Sequence, residues 1–451
     1  MRVVILGAGI TGLSLARRLL LSCDAPALRV TVLEKEAVPG GLCRTLDAGG
    51  FRFDQGPHNF HSRTPGFHDA MRELLGDRYR ERSFTAQVVF RGRFIPYPMS
   101  GMDVLRSIPL TTSLACGASF LGSVLANRST GGEESFEQFI VRRFGRKMYG
   151  IYFGPFTRKV WGVDGSDISA DFGRERIGSY NLWDLFKRLF LGIRQKGRVT
   201  AENPFNEIRR FYPPSGCGEL IDELLRRCSA DPRFTLRTRS EATGLETDGG
   251  RVTAVRLGDD RLPGDRFVST IPLPELGGFL GGPVGRLTYT STAFLMLFLD
   301  RPRVLGPSPW VLFADPAVPF NRVSELGLIC EEMNPPGKTC LIVEHTYPEW
   351  SETASVPDGD LFRRAVEGLS GYGLIAPGDV EDWTMIRRRG THPLRRLGYA
   401  VERDALSARV AAVPNLETLG RQGTFAHMNM DTCFLAAEAA AVRLAAGIPR
   451  S

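Results

Sequence analysis

The hydrophobic pattern at the start of the chain predicts a strand, a turn, a helix and a second strand. Arg2–Leu6 is a short apolar run rich in β-branched residues, and the glycine-rich stretch GAGITG follows at residues 7–12. The next segment, LSLARRLLL, spaces its apolar residues as a helix does. Val30–Leu33 is a second β-branched run. Strand and helix alternating in this way are typical of an α/β fold with a parallel sheet.

The glycines of the turn predict a binding site for a phosphate group. Gly7 supplies the backbone angles of a tight turn, Gly9 lets the main chain approach a diphosphate, and Gly12 allows the helix to pack closely on the strand. The free N–H groups at the start of the helix, at Ile10 and Thr11, then face the anion. A glycine turn alone is weak evidence, because such turns occur in many folds.

The residue after the second strand strengthens this interpretation. Glu34 lies about twenty residues beyond the last glycine, where an acidic side chain accepts hydrogen bonds from both ribose hydroxyls of a dinucleotide. A carboxylate there also repels a 2′-phosphate, although the neighbouring Lys35 offsets part of that repulsion. Together, the turn and the carboxylate predict a dinucleotide site.

Three further patterns concern the rest of the chain. Residues 107–126 carry no charge over the length of a membrane span, but their serines, threonines, glycines and early proline favour a buried helix pair. Leu182–Ile193 is amphipathic and precedes basic residues, so it faces either the core or a membrane surface, and peripheral membrane contact stays open. The run TSTAFLMLFL at residues 290–299 begins a section that we expect to be rich in strands.

The composition indicates a globular protein, with 43% hydrophobic and 24% charged residues. The net charge of +7 comes largely from scattered arginine doublets without a nucleic-acid-binding module, so we expect no nucleic-acid partner. Eight cysteines lie far apart and lack the spacing of a zinc site. We therefore expect no metal, and reduced, mostly buried thiols in a cytoplasmic protein.

Residues 40–45, GGLCRT, carry a family resemblance. The span from Arg2 to Thr45 resembles the FAD-binding start of the amine oxidase, protoporphyrinogen oxidase and phytoene desaturase superfamily. The resemblance implies FAD rather than NAD, with Gly41, Leu42 and Arg44 against the pyrophosphate and ribityl chain. Near the other end, Asp431 stands where a helix N-cap belongs. In the family this segment closes over the ribityl chain and the flavin ring, which implies contacts from Gly420, Arg421, Met430 and Asp431.

Residues 49–62 hold two of the six histidines. On physical grounds alone, His58 and His61 are either loop or core residues or lie near a cofactor. The stretch GPHNFH at residues 56–61 resembles a segment of the UDP-galactopyranose mutases that places a histidine beside the flavin. The resemblance implies that Pro57 and His58 contact FAD, and that His58 or His61 adjusts hydrogen bonding to the flavin.

Later stretches agree with the mutase resemblance. Phe136–Gly162 ends in KVWG, which implies that Trp161 packs against substrate. The segment VPFNRVSE at residues 318–325 implies that Arg322 binds a substrate diphosphate, whereas without the resemblance it is equally a surface arginine near Glu325. Arg174 or Arg176 is the expected partner of Arg322 at the diphosphate. In GRQGTFAHMNMD at residues 420–431, Phe425 and His427 replace tyrosines of the mutase pattern and complete the predicted substrate-binding set.

Two departures favour the oxidase branch. Leu42 replaces the mutase asparagine, and residues 212–225 (YPPSGCGELIDELL) resemble oxidases more closely. The mutase resemblance nevertheless implies a flavoenzyme that acts on a nucleotide-linked sugar through reduced flavin. The alternative is an oxidase or desaturase that removes hydride from a small substrate. A non-catalytic FAD-stabilised scaffold is the third hypothesis, and it leaves the histidine segment without a role.

We expect an α/β fold in which a discontinuous Rossmann-type FAD-binding domain joins a mixed helical and β-sheet substrate domain. The FAD-binding domain is predicted to comprise residues 1–75, 209–274 and 392–451. The substrate domain is predicted to comprise residues 76–208 and 275–391. Ligands in such folds bind beyond the carboxyl ends of the strands and between domains, so we expect the site there.

Overall fold

The computed structural model describes residues 1–58, 60–62, 64–82, 84–97, 107–125, 132–177, 210–282 and 285–448. The strands within these residues are β1 (Arg2–Leu6), β2 (Arg29–Leu33), β3 (Thr45–Ala48), β4 (Phe51–Asp54), β5 (Phe60–His61), β6 (Ala86–Phe90), β7 (Arg93–Tyr97), β8 (Arg210–Phe211), β9 (Phe234–Arg237), β10 (Gly244–Asp248), β11 (Arg251–Leu257), β12 (Asp260–Pro263), β13 (Arg266–Ser269), β14 (Thr288–Leu299), β15 (Trp310–Phe313), β16 (Arg322–Ser324), β17 (Thr339–Pro348), β18 (Val380–Leu394) and β19 (Leu416–Thr418). The α-helices are α1 (Ile10–Ser22), α2 (Pro65–Leu75), α3 (Leu110–Leu125), α4 (Phe136–Phe144), α5 (Arg146–Met148), α6 (Gly154–Trp161), α7 (Asp171–Ile177), α8 (Gly218–Ser229), α9 (Leu273–Phe279), α10 (Asp358–Gly371), α11 (Tyr399–Ala411), α12 (Gly420–Gly423) and α13 (Met430–Ala446). The predicted amphipathic run Leu182–Ile193 lies outside the described residues.

A parallel sheet with strand order β19-β13-β1-β2-β9 organises the first layer. Its central strand β1 is buried on both faces, which explains its unbroken apolar sequence. Val3 and Ile5 pack towards α1 and α13, whereas Val4 and Leu6 pack towards the small antiparallel sheet β10-β11-β12. The strand, turn, helix and strand predicted for residues 2–33 and the α/β class are confirmed.

A mixed sheet with strand order β18-β14-β17-β16-β15-β6-β7 forms the second layer. All neighbouring pairs in it are antiparallel except β15 and β6. It contains the run at residues 290–299, so the predicted strand-rich section is confirmed. Because side chains alternate along a strand, Phe294, Met296 and Phe298 pack towards the parallel sheet, while Leu295 and Leu297 pack towards α10.

The uncharged run at residues 107–126 differs from the prediction. In the described residues it forms the single helix α3, and its buried side packs through Cys116 and Ile108 on the hairpin of β6 and β7. Leucines 110, 114, 121 and 125 on the opposite side are between 61% and 89% exposed. The expected buried helix pair is therefore wrong, because no described element covers this face. Among the described residues, no helix combines the length and apolarity that crossing a membrane requires.

Candidate functional site

The glycine turn between β1 and α1 has the geometry of a phosphate cradle. Gly7 adopts φ +101°, and a Cβ there would lie 2.3 Å from the Thr270 hydroxyl. A Cβ at Gly12 would lie 2.0 Å from the carbonyl oxygen of Gly7, so the helix and the turn touch there. A Cβ at Gly9 would meet nothing within 4 Å. The open side of the turn is therefore at Gly9, where Ile10 and Thr11 begin α1.

Glu34 lies at the end of β2 beside this turn and is only 8% exposed. Its Oε2 accepts a hydrogen bond from the Ala8 N–H at 3.1 Å, and its Oε1 accepts one from the Glu36 N–H at 2.9 Å. A carboxylate oxygen can accept a second bond, so the main chain orients Glu34 and leaves it able to accept two ribose hydroxyls. The neighbouring Lys35 is exposed.

The second glycine pair closes the cradle from the other side. Gly40 donates its N–H to the Ala8 carbonyl at 2.9 Å. A Cβ at Gly41 would lie 3.8 Å from the Gly9 Cα. Leu42 is half-buried beside them, and Arg44 donates from Nη1 to the Val38 carbonyl at 3.1 Å. The Nε atom of Arg44 is buried without a hydrogen-bond partner in the structure, which leaves a cationic donor unused at the cradle.

A buried carboxylate ties the cradle to the stretch that resembles oxidases. Asp54 accepts hydrogen bonds from the hydroxyls of Thr45 and Tyr212 and, at 3.0 Å, from the Cys217 N–H. Burial raises the pKa of Asp54 above its ordinary value, and the hydrogen bonds oppose that rise. The residues after β8 therefore hold the β3–β4 hairpin in place.

The C-terminal segment meets the turn at Gly420 and Arg421. Gly420 adopts φ +77°, and a Cβ there would lie 2.6 Å from the Thr11 hydroxyl. Arg421 donates from Nε to the Met428 carbonyl at 2.7 Å, and burial lowers the pKa of its guanidinium. Its described hydrogen bonds go to carbonyl oxygens, so its positive charge is not neutralised by a carboxylate among them.

The start of α13 corrects one prediction. The helix begins at Met430 and its N-cap is Asn429, so Asp431 is not the N-cap but lies one residue inside the first turn. An acidic residue in the first turn still interacts favourably with the helix dipole. The buried Met430 contacts the residues that follow the second glycine pair, because the Cys43 Sγ lies 3.3 Å from its Sδ.

The histidine segment lies between two arginines. Part of the His58 surface is accessible, but its Nε2 atom is buried and has no hydrogen-bond partner in the structure. Burial, with the nearby charges of Arg421 and Arg322, lowers the pKa of His58 to about 4. Pro57 precedes it and is half-buried. The main chain of His61 pairs with Arg210 between β5 and β8, and its side chain is outside the described part of the chain.

Arg322 has a different partner from the one considered in the sequence. Its guanidinium donates two parallel hydrogen bonds to Glu344 on the neighbouring strand, at 2.6 and 2.7 Å. Glu325 instead accepts from the Val304 and Leu305 N–H groups and the Thr339 hydroxyl. A Cβ on Gly56 would lie 3.0 Å from Glu344 Oε1, so this pair also supports the histidine segment. Arg322 and His58 thus share one site.

A group of aromatic rings lies around His392, near the end of β18. Trp161, at the end of α6, is 8% exposed and lies edge-on to His392 with ring centroids 6.4 Å apart. His392 in turn stacks on His427 at 6.1 Å. The structure therefore brings Trp161 and His427 together through His392, a residue that the sequence analysis did not single out.

The remaining predicted substrate residues make other contacts. Arg174, on α7, is half-exposed and pairs with Asp171 and Glu134 at 2.7 and 2.9 Å. Phe425 is fully buried and packs on Tyr289 with centroids 5.0 Å apart. The side chain of Arg176 falls outside the described residues.

Two residues near the cradle were missed. Gln55 is 4% exposed and donates from Nε2 to the Gly41 carbonyl at 3.2 Å. Its Oε1 accepts a hydrogen bond from Arg388 Nε, although the two residues are 333 positions apart. The sequence carries no signal that separates Arg388 from its neighbours Arg387 and Arg389.

Cysteines and metals add little to this picture. All eight cysteines are buried and unpaired, in agreement with the sequence. Among the described residues, no three His, Cys, Asp or Glu side chains are grouped as metal ligands.

The chemistry of the donors fits a dinucleotide cofactor. The cradle offers free helix N–H groups and open space at Gly9, Glu34 has acceptor capacity left, and Arg44 carries a buried unused donor. These groups match the phosphates and ribose of such a molecule.

Comparisons with known proteins agree with this geometry. Residues 5–76 match the NAD(P)-binding Rossmann-like domain. The chloroplastic protoporphyrinogen oxidase of Nicotiana tabacum is 32% identical over 204 residues, which are 41% of this chain and 35% of that protein. Phytoene dehydrogenase of Streptomyces griseus is 27% identical over 296 residues, or 62% of this chain and 56% of that protein. The chain thus matches from about a third to just over half of the length of these relatives.

Solved structures match over nearly the whole chain. Reduced UDP-galactopyranose mutase superimposes with a TM-score of 0.82 at 21% identity, covering 98% of this chain and 93% of that chain. A protein described as a protoporphyrinogen oxidase from Exiguobacterium superimposes with a TM-score of 0.75 at 17% identity, covering 99% of both chains. At these identities the likeness concerns the fold. Sequence and structure together fit the FAD-dependent amine oxidase superfamily, and the chain has the fold of that superfamily.

Proposed function

We propose that the chain is a flavoenzyme that holds FAD in the cradle between the two glycine pairs. Glu34 binds the adenosine ribose, the N–H groups at the start of α1 bind the diphosphate, and Arg44 and Arg421 add positive charge. When bound, FAD supplies electron or hydride chemistry at its ring system. The observation that supports this cofactor is the combination of the open face at Gly9 with the oriented carboxylate of Glu34.

We further propose a polar, anionic substrate, best represented by a nucleotide-linked sugar. The inner face of the seven-stranded sheet is apolar where it packs on the parallel sheet, but carries Arg322 and Glu344 next to His58. Arg322 and Arg421 bring two positive charges to this place, and Glu344 neutralises one of them. A polyene or another apolar substrate would leave the buried Nε2 atom of His58 without a partner and the charge of Arg421 without a counterion, which is unfavourable.

Arg322, His58 and Trp161 each have a proposed role that follows from their contacts. Glu344 fixes the plane of the Arg322 guanidinium, whose remaining N–H groups bind a phosphate. With a pKa of about 4, His58 is neutral at pH 7, so it positions a ligand by hydrogen bonding without adding charge. Trp161 supplies an apolar surface for a sugar or base, and its position beside His392 keeps that surface next to a polar group.

The second candidate is an oxidase or desaturase that removes hydride from a small substrate. The observation that favours it is the sequence similarity to protoporphyrinogen oxidase and phytoene dehydrogenase. The residues after β8 that hold the cofactor hairpin belong to the stretch that resembles oxidases.

Reduction of the purified holoprotein separates the two candidates. Nucleotide sugars are added before and after treatment with dithionite, and products are followed by chromatography. Turnover that requires reduction supports the mutase-like function, whereas bleaching of the flavin by an amine, porphyrinogen or polyene in the oxidised protein supports the oxidase. Colourless protein that releases no flavin on denaturation would exclude both.

A further inference from the structure

A cation from the seven-stranded sheet reaches the edge of the cofactor cradle. Arg388 lies on β18 opposite Thr292 of β14, and its Nε donates to Gln55 Oε1. Gln55 donates in turn to the Gly41 carbonyl at 3.2 Å. Two hydrogen bonds therefore connect the outer strand of this sheet to the second glycine pair.

The charges around Arg388 place it beside the predicted nucleotide. Its Nη1 lies 3.8 Å from Glu36 Oε1, and the Glu36 N–H donates to Glu34. Burial and the charge of Arg44 lower the pKa of Arg388, while Glu36 and Glu34 raise it. Arg388 is thus close to the carboxylate that faces the ribose and to the arginine at the diphosphate.

These contacts are too weak to explain a largely buried arginine. The side chain of Arg388 is 21% exposed, whereas Glu36 is 44% exposed and its nearest oxygen is beyond hydrogen-bond distance. An ion pair of this kind contributes little to stability. The repulsion between Arg388 and Arg44 is unfavourable unless an anion lies between them. The buried Nε of Arg44 also has no hydrogen-bond acceptor in the structure, and a bound anion would supply one.

We propose that Arg388 is a cofactor-binding residue, supplied by the substrate sheet, that binds the diphosphate of the dinucleotide together with Arg44. The inference rests on the proposed FAD site and extends it, because it makes the second sheet part of the nucleotide pocket. Cofactor binding then also holds the two sheets together, since Arg388 is fixed by β18 and Arg44 by the loop after the second glycine pair.

The test uses the full-length holoprotein and two probes. FAD fluorescence rises as the cofactor leaves on dilution, and this gives Kd for FAD. Added ADP or adenosine competes for the vacated site and gives a competition constant for each. ADP carries the diphosphate, whereas adenosine carries only the ribose and base, so the ratio of the two constants isolates the phosphate contact.

We expect Arg388→Gln to raise both Kd for FAD and the competition constant for ADP by about ten-fold, the loss of one charged hydrogen bond. The constant for adenosine should not change. Arg388→Lys should keep most of the ADP affinity, because it keeps the charge. The matched control is Arg389→Gln, because Arg389 is the next residue on the same strand and its side chain is 86% exposed. It should bind both probes like the unaltered protein.

The variant Gln55→Met tests whether Arg388 binds the diphosphate or only holds the second glycine pair in place through Gln55. It removes the link between Arg388 and Gly41 but keeps both arginines. If Gln55→Met weakens ADP binding as much as Arg388→Gln does, the hydrogen bonds through Gln55 explain the effect and the charge of Arg388 does not. The inference then fails. The inference also fails if Arg388→Gln changes ADP binding less than two-fold while Arg44→Gln changes it ten-fold. That result would contradict the role of Arg388 but would still support the proposed FAD site. Protein without flavin that binds neither probe overturns the FAD site and this inference together.

Discussion

Arg322 and Glu344 face each other across β16 and β17, joined by two hydrogen bonds of 2.6 and 2.7 Å, and the Glu344 side chain is only 4% exposed. The pair lies against Gly56, two residues before His58. One ion pair therefore supports the histidine segment and presents a guanidinium to the site. These two roles can be separated by mutation.

Arg322→Ala should lower the free energy of unfolding by about 3 kcal/mol, because it leaves the Glu344 carboxylate buried without a partner. Urea unfolding monitored by circular dichroism measures the loss. The same variant should lose affinity for nucleotide sugars.

The double variant Arg322→Met, Glu344→Met gives the control. Removing both charges should recover most of the stability, since replacing a buried pair by apolar side chains is often neutral. It should not recover sugar affinity. Recovery of both properties would show that Arg322 acts only through the fold.

Gly9→Ala should impair flavin binding, whereas Gly12→Ala should lower the stability of the fold. Gly9 has φ −78°, and an added Cβ meets no protein atom within 4 Å, so the variant should unfold like the parent but carry little flavin. Gly12→Ala would place a Cβ 2.0 Å from the Gly7 carbonyl oxygen and should lower the free energy of unfolding by about 3 kcal/mol. Flavin absorbance per chain and urea unfolding of each variant test both statements. Normal flavin content in Gly9→Ala would contradict the position of the diphosphate.

His345 should make the protein less stable in acid. It is 1% exposed, neither ring nitrogen has a hydrogen-bond partner in the structure, and burial with the charges of Arg387 and Arg364 lowers its pKa to about 4. An unfolded histidine has a pKa near 6.5, so between pH 6.5 and 4 the unfolded state binds more protons than the folded state. Stability is therefore present above pH 6.5 and is lost as the pH falls towards 4, by about 3 kcal/mol.

The variant His345→Phe isolates this contribution. It keeps an aromatic ring beside Phe320 but cannot be protonated. Urea unfolding at several pH values should show a smaller loss of stability between pH 6.5 and 4 than in the parent. An unchanged slope would assign the acid sensitivity to other groups, such as His58.

The exposed leucines of α3 should contribute almost nothing to the free energy of unfolding. Leu114→Gln combined with Leu121→Gln should change the free energy of unfolding by less than about 0.5 kcal/mol, because both side chains are already in solvent. Cys116→Asn on the buried side of the same helix should lower it by about 2 kcal/mol. A large loss in the leucine double variant would mean that another surface covers this face in solution.

The geometry of the glycine turn and the position of Glu34 beside it could be predicted because their signals are local. Gly7, Gly9, Gly12 and Glu34 lie within one strand-helix-strand unit, so their spacing alone determines how they meet. Arg388 and Gln55 could not be found in this way, because their contact depends on how β18 aligns with β14 and how the two sheets pack.

Two predictions from local sequence patterns were wrong. The uncharged run predicted burial, yet hydropathy does not say whether each face has a covering element, and the leucine face of α3 has none among the described residues. Asp431 is a good capping residue, but Asn429 takes the N-cap because the helix starts at Met430.

The packing of α1 on α13 has a consequence for biosynthesis. The helix that starts at the glycine turn packs on residues 430–446 as well as on α8, and Arg17 of α1 lies 3.5 Å from Glu438 of α13. A ribosome adding roughly 5–20 residues per second needs on the order of tens of seconds between the two segments. During synthesis, the face of α1 that packs on α13 therefore has no partner until residues 430–446 have been made.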